Sequence, residues 1–249
     1  MDQFTMKIAG QVVHVNAQYP STREYCKEYL CEGEPDFSVE ITLQDIDLES
    51  KISDRERAAE GLVPHGFKEF ELERTALQRK LAEKLFEYDT LVFHGSVIAV
   101  DGEGYLFTAK SGTGKSTHTR LWREMLGDRA VMVNDDKPFL QASSDCIYVC
   151  GSPWNGKHGL GNNVEVPLKA ICILERGTQN EIQKISASEA VVMLLQQSNR
   201  PRQARLMPKY MELLESITGK TAFYRLKCNK DPEAAQVSYC AMSGSEKEK

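Results

Sequence analysis

Three short runs in this chain set reactive side chains beside backbone able to fold around a charged ligand: FHGS (93–96), AKSGTGKST (109–117) and VNDD (133–136). The central run fits Gly, four residues, then Gly-Lys-Ser/Thr at every position but the first, where Ala109 stands. Glycines there let backbone N–H groups turn inward as an anion-binding nest, and the helix that follows aims its positive end at the phosphates. Lys115 adds a point charge between the outer phosphates, and the Ser116 hydroxyl suits Mg²⁺. Ser111, Gly112, Thr113, Gly114, Lys115, Ser116 and Thr117 are therefore the candidate nucleotide-binding residues, with ATP and Mg²⁺ as the cofactors.

Asp135 and Asp136 end a hydrophobic run 20 residues after Lys115, where a carboxylate can hold Mg²⁺ directly or through water. Two in succession suggest a division of labour. One holds the metal while the other takes the proton of an attacking hydroxyl, as a kinase requires. The residues alone leave the two roles open, and Asn-Asp-Asp is also good turn chemistry after a strand. His94 has a plain reading as a locally satisfied core histidine. His118 reads as a helix-face residue near the nucleotide.

In this order and spacing, FHGS, SGTGKST and VNDD resemble the catalytic core of HPr kinase/phosphorylase and phosphoenolpyruvate carboxykinases, most nearly the C-terminal domain of HPr kinase. The resemblance spans about residues 90–175. It implies a P-loop core of mixed β-sheet with flanking helices, and a serine hydroxyl as phosphate acceptor. It also implies Asp136 as the base, Asp135 and Ser116 on the metal, His94 as partner of the aspartate pair, and a homo-oligomer. Thr117 stands where HPr kinase carries an acidic residue, closer to the carboxykinase style. His158, in KHGLG (157–161), stands where the family has an arginine, and Lys157 beside it supplies a positive charge. These departures bear on the reverse, phosphorylase reaction more than on the kinase reaction.

The remaining motifs are less specific. GSPWNGKHGLGNN (151–163) is Gly-rich, polar and too long for a tight turn, which suits a loop across the acceptor site with Lys157 meeting phosphate or a carboxylate. A surface loop anchored by a buried Trp154 is the plain alternative. SNRPRQAR (198–205) holds three arginines, a solvated basic face or a clamp on nucleotide, acidic substrate or a neighbouring subunit.

The elements that must position these groups follow from pattern. Segments 4–17 and 37–47 alternate like half-buried strands, with one or two helical turns between them. In 71–89, Leu77, Leu81 and Leu85 mark a helix with one apolar face. LVFHGSVIAV and YLFTA joined by DGEG predict a hairpin, and RAVMVNDD, DCIYVCG and PLKAICILERG read as strands. A helix follows the phosphate loop and closes at Gly127. Ser186 and Glu189 form a capping box, a helix from Pro208 stops at Gly219, and Asp231-Pro232 opens the last helix. The expected fold is α/β: an accessory or substrate-recognition unit over 1–88, a catalytic domain over 89–242 and a tail over 243–249.

Composition bounds the function. With 249 residues, 41% hydrophobic and 27% charged, the chain has the balance of a globular protein. A net charge of −5 gives no reason to expect nucleic acid or an anionic membrane as partner. MDQFTMKIAG lacks the pattern of a secretory signal, so a cytoplasmic location is expected. Seven cysteines with no C-x-x-C pair suit reduced thiols, with Cys146 and Cys150 as core residues on a strand. The leading expectation is an ATP- and Mg²⁺-dependent kinase acting on a hydroxyl of a protein, peptide or small molecule. Carboxykinase-like transfer to an enolate and a non-catalytic nucleotide sensor are the alternatives.

Overall fold

The computed structural model describes residues 1–244 apart from 60, 62, 64 and 111. The chain divides into two compact units, Met1–Leu85 and Phe86–Lys249. The tail expected from 243 onward falls mostly on residues 245–249, outside the described residues.

In the first unit the alternating run 4–17 is two strands rather than one. β1 (Asp2–Ile8) and β2 (Gln11–Ala17) pair antiparallel. The chain reverses at Ala9 (φ 46°) and Gly10 (φ 76°), both left-handed, as a tight hairpin requires. A short helix, α1 (Pro20–Tyr25), leads toward β3 (Phe37–Glu40), which lies parallel to β2.

The strand expected over 37–47 ends at Glu40, and from Leu43 the chain is helical as α2 (Leu43–Ala59). Local chemistry overrides alternation there. The Thr42 hydroxyl accepts from Asp45 N–H (3.2 Å) while the Asp45 carboxylate accepts from Thr42 N–H (2.8 Å), a reciprocal cap that starts a helix. α3 (Glu69–Leu85) buries Leu77, Leu81 and Leu85, as their spacing predicts. It also buries Glu73, whose carboxylate accepts from the backbone N–H groups of Gln18 and Tyr19 and from the Thr22 hydroxyl. That fixes the two residues entering α1 and its Thr22 hydroxyl, at a helix that starts with proline and has no side-chain cap of its own.

The second unit runs β4 (Thr90–Val92), β5 (Ser96–Val100), β6 (Glu103–Thr108), α4 (Lys115–Leu126), β7 (Ala130–Asn134), β8 (Phe139–Ala142) and β9 (Ile147–Cys150). It continues through β10 (Glu165–Arg176), β11 (Glu181–Ile185), α5 (Ala187–Gln197), α6 (Met207–Lys220), β12 (Ala222–Cys228) and α7 (Glu233–Ser243). The predicted hairpin is β5–β6, turning at Asp101-Gly102 with φ 51° and 83°. β7 adds antiparallel to β5, whereas β6–β10 and β10–β12 are parallel and β11 closes antiparallel on β12. The first residues of β10 pair with β9, which continues to β8 and β4. The result is a mixed sheet with helices on both faces, the α/β class expected.

Strand alternation sorts the core into two layers. Leu106, Ile171 and Ile173 face α5 and α6 with Leu194, Tyr210 and Leu213. Tyr105, Phe107 and Cys172 face α4 and α7 with Trp122 and Ala235. α5 carries the expected capping box of Ser186 and Glu189. α6 passes through Gly219 to Lys220, contrary to the stop expected there. A glycine ends a helix by turning left-handed, and Gly219 does not. α7 begins one residue later than expected, with Pro232 at the cap. The cysteines are free thiols, Cys150 buried and Cys146 partly so. No described helix is long and apolar enough to cross a membrane.

Candidate active site

The loop after β6 enters α4 through Gly112 (φ 73°) and Gly114 (φ 123°), backbone that side chains with a Cβ rarely adopt. Nothing lies within 4 Å of a Cβ built at either glycine, so that side of the loop is open to a ligand. Lys115 is the first residue of α4 and its backbone sits at the positive end of the helix. Ser116 is exposed and Thr117 half-buried, while Ser111 lies outside the described residues. Arg176, the last residue of β10, donates to the Gly112 carbonyl (2.7 Å) and ties the loop to the sheet.

His94 joins this loop to the aspartates. Lys115 Nζ lies 2.9 Å from His94 Nε2, and His94 Nδ1 lies 3.1 Å from Asp136 Oδ1. An ammonium only donates, so Nε2 is the acceptor and the ring proton sits on Nδ1, within ion-pair distance of the carboxylate but not aligned on it as a hydrogen bond. Backbone geometry holds the imidazole: His94 N–H donates to Gln197 O (2.7 Å), and Thr108 Oγ1 donates to His94 O (3.0 Å). A Cβ at Gly95 would fall 2.9 Å from Leu106 Cδ2 and 3.1 Å from Phe107 O, so a larger residue would displace its buried neighbours; the Gly95 N–H donates to Asp136 O (3.0 Å). The sequence-predicted Lys115, His94 and Asp136 are thus brought together.

The two carboxylates have different surroundings. Asp135 is buried, which pushes its carboxyl above the ordinary value despite the Gly156 N–H bound to Oδ1 (2.6 Å). Burial alone would raise Asp136 too, but His94, with Lys137 and Lys115 near it, outweighs burial and holds that carboxyl below the ordinary value. Burial lowers Lys115, opposed by the Asp136 charge. Neighbouring groups of one chemical type are driven apart, as in sites that need one charged base and one ligand.

Asp135 Oδ2 is buried without a hydrogen-bond partner, an acceptor the surrounding chain leaves unused. Among the described residues no three His, Cys, Asp or Glu side chains cluster as a metal cage. Mg²⁺ asks for less than a cage, one or two carboxylates completed by phosphate and water, so the residues present fit it.

Loop 151–163 meets the site through backbone rather than through Lys157, whose side chain is exposed. Trp154 is buried against Phe139, the anchor of the plain reading, while Gly156 approaches Asp135 so closely that a Cβ would sit 3.3 Å from Oδ2. The sequence shows Asn134 only as part of VNDD and as turn chemistry in Asn-Asp-Asp, and it assigns no role to Gly156 or Arg176.

His118, read as a helix-face residue near the nucleotide, is buried and lines the cavity beside the loop. Its ring packs edge-on to Phe107 and Nε2 lies 3.0 Å from Ser238 Oγ, which also accepts from Trp122 Nε1 (2.8 Å). A cavity of about 660 Å³ opens beside the loop, lined by Gly114, Thr117, Leu121, Leu174, Cys228 and Asn229 among others. Its volume is that of a small-molecule pocket.

No curated protein matches this sequence. Among solved structures, the Hpr(Ser) kinase/phosphatase from Coxiella burnetii is similar at 14% identity and a TM-score of 0.29, covering 50% of this chain and 93% of that one. A likeness so loose says nothing about chemistry. The model of one protein family, described as SynChlorMet cassette protein ScmC, matches residues 72–226, well over half of the chain.

Proposed function

From a chain that belongs to the family of SynChlorMet cassette protein ScmC, we propose an ATP- and Mg²⁺-dependent kinase that transfers the γ-phosphate to a hydroxyl, a serine of a protein or peptide or that of a small metabolite. The observation that carries this reading is the continuous chain Lys115–His94–Asp136, with contacts of 2.9 and 3.1 Å, running from the phosphate loop to an ionised carboxylate.

In this reading the triphosphate lies along Gly112, Thr113, Gly114, Lys115, Ser116 and Thr117, with the nucleoside in the adjoining cavity. Mg²⁺, held by Asp135 and Ser116, would draw charge from the phosphate oxygens. The acceptor oxygen attacks the γ-phosphorus; the new P–O bond forms as the bond to the β–γ bridging oxygen breaks and ADP leaves. The hydroxyl proton passes to Asp136, which its surroundings keep ionised. His94 orients that carboxylate and accepts from Lys115, and Lys157, exposed on loop 151–163, meets the acceptor. A cassette protein is tested first on the peptides and small proteins encoded beside it.

The test is label transfer from γ-labelled ATP with Mg²⁺ to such peptides, to free serine and to an HPr-type protein. Transfer by the native chain that vanishes in Lys115→Ala and Asp136→Asn supports the kinase. ATP binding lost only in Lys115→Ala, with no transfer to any acceptor, overturns it in favour of a nucleotide sensor.

A further inference from the structure

Asn134 is wholly buried at the end of β7, directly before the aspartate pair. Its two ends face opposite chemistry. Oδ1 accepts from the backbone N–H groups of Asp136 (2.8 Å) and Lys137 (2.6 Å), a side-chain-closed turn that bends the chain between the two carboxylates. Nδ2 faces Asn155 Oδ1 (3.0 Å), Ser152 O (3.1 Å), Ser152 Oγ (3.1 Å) and Trp154 O (3.4 Å), all on loop 151–163. Donors surround one end and acceptors the other, so the orientation of the amide is unambiguous.

Further contacts close the same frame. Ser152 Oγ donates to Lys137 O (2.7 Å), Gly156 N–H binds Asp135, and Asn134 bridges antiparallel to Gly161. A Cβ at Gly161 would lie 2.1 Å from Asn155 Oδ1, so a larger residue there would push the Asn155 amide off Asn134.

We infer that Asn134 is a positioning residue: one carboxamide sets the directions of Asp135 and Asp136 and clamps the loop that carries Lys157, so that metal ligand, base and acceptor loop move as one body. The inference rests on the kinase reading for the use of that body, and on geometry alone for the clamp. Asn134→Asp keeps the shape and the turn-closing oxygen but turns a second oxygen toward the loop's acceptors. Asn134→Ala removes both links, and Asn155→Ser takes away one of the four loop acceptors with Asn134 intact.

The experiment combines acrylamide quenching of tryptophan, binding of Mn²⁺ with and without ATP, and thermal melting as a check on folding. Trp122 is wholly buried, so a gain in quenching reports Trp154. Folded Asn134→Asp and Asn155→Ser chains are expected to show increased quenching. Mn²⁺ affinity in the presence of ATP is expected to fall about 10-fold to 100-fold, the usual effect of losing a group that orients a metal ligand. Affinity for metal-free ATP stays within about twofold, because the loop at 112–116 is untouched; a general loss of structure would lower it as well. Quenching that stays at the native level, or Mn²⁺–ATP affinity that is unchanged while quenching rises, overturns the inference. If the native chain binds no ATP, the kinase reading fails, and quenching together with amide exchange at Asp136 and Lys137 still decides the clamp.

Discussion

His94 touches a cation on one side and a carboxylate on the other, so a substitution there disturbs both ends of the chain at once. His94→Ala is expected to lower the rate of label transfer by about 10²-fold or more, the scale of a group that assists proton transfer. ATP affinity, measured by calorimetry, should fall far less than in Lys115→Ala. His118 is a contrasting histidine. Burial lowers it to about 4, and its Nδ1 has no hydrogen-bond partner to receive an added proton. Its folded value lies below the unfolded one of about 6.5, so the unfolded chain binds more protons between the two. This contribution to stability is complete above about pH 6.5 and is lost as pH falls toward about 4, at most about 3 kcal/mol. Urea unfolding at several pH values should show that slope, and His118→Gln should flatten it; an unchanged slope would mean that His118 is charged or exposed in the folded protein.

At the scale of elements, helix ends decide several outcomes that periodicity missed. Glu73 fixes the residues entering α1 from another helix. Glu73→Ala leaves two N–H groups and a hydroxyl without that partner and should cost about 2–4 kcal/mol in urea unfolding, with Glu73→Gln milder. Gly114→Ala places a Cβ at φ 123°, a strain of about 1–3 kcal/mol that the loop relieves by shifting. Nucleotide affinity should fall while the far-UV spectrum stays native; unaltered affinity would detach the loop from nucleotide binding. These cases also explain what the sequence made legible. Leu77, Leu81 and Leu85 repeat along a whole face, so α3 was readable, as was the hairpin at Asp101-Gly102. The start of α2 depends on two side chains, Thr42 and Asp45, set within an alternating run, and one local cap outweighed the longer pattern.

For the whole molecule, a ligand that binds only the folded second unit should raise its melting temperature. ATP with Mg²⁺ at 100 times its dissociation constant would add about 2.7 kcal/mol, seen by calorimetry and absent in Lys115→Ala. The candidate site was legible where residues would act through their own type: Lys115, His94 and Asp136 carry reactive groups, and their motifs announce them. Asn134 and Arg176 act by what they hold, and holding depends on strands far apart in sequence. β10 shows the cost of that arrangement in time. Its Ile171 lies between Leu106 of β6 and Phe223 of β12, and its last residue, Arg176, fixes the Gly112 carbonyl. Parallel pairing across such separations folds slowly. On a ribosome the phosphate loop emerges early, yet the strand that steadies its tether has no parallel partner on one edge until residues 222–228 have been made. The nascent chain therefore carries its glycine loop long before it carries a finished candidate site, and competence for nucleotide should arrive only once residues 222–228 have been made rather than with the motif itself.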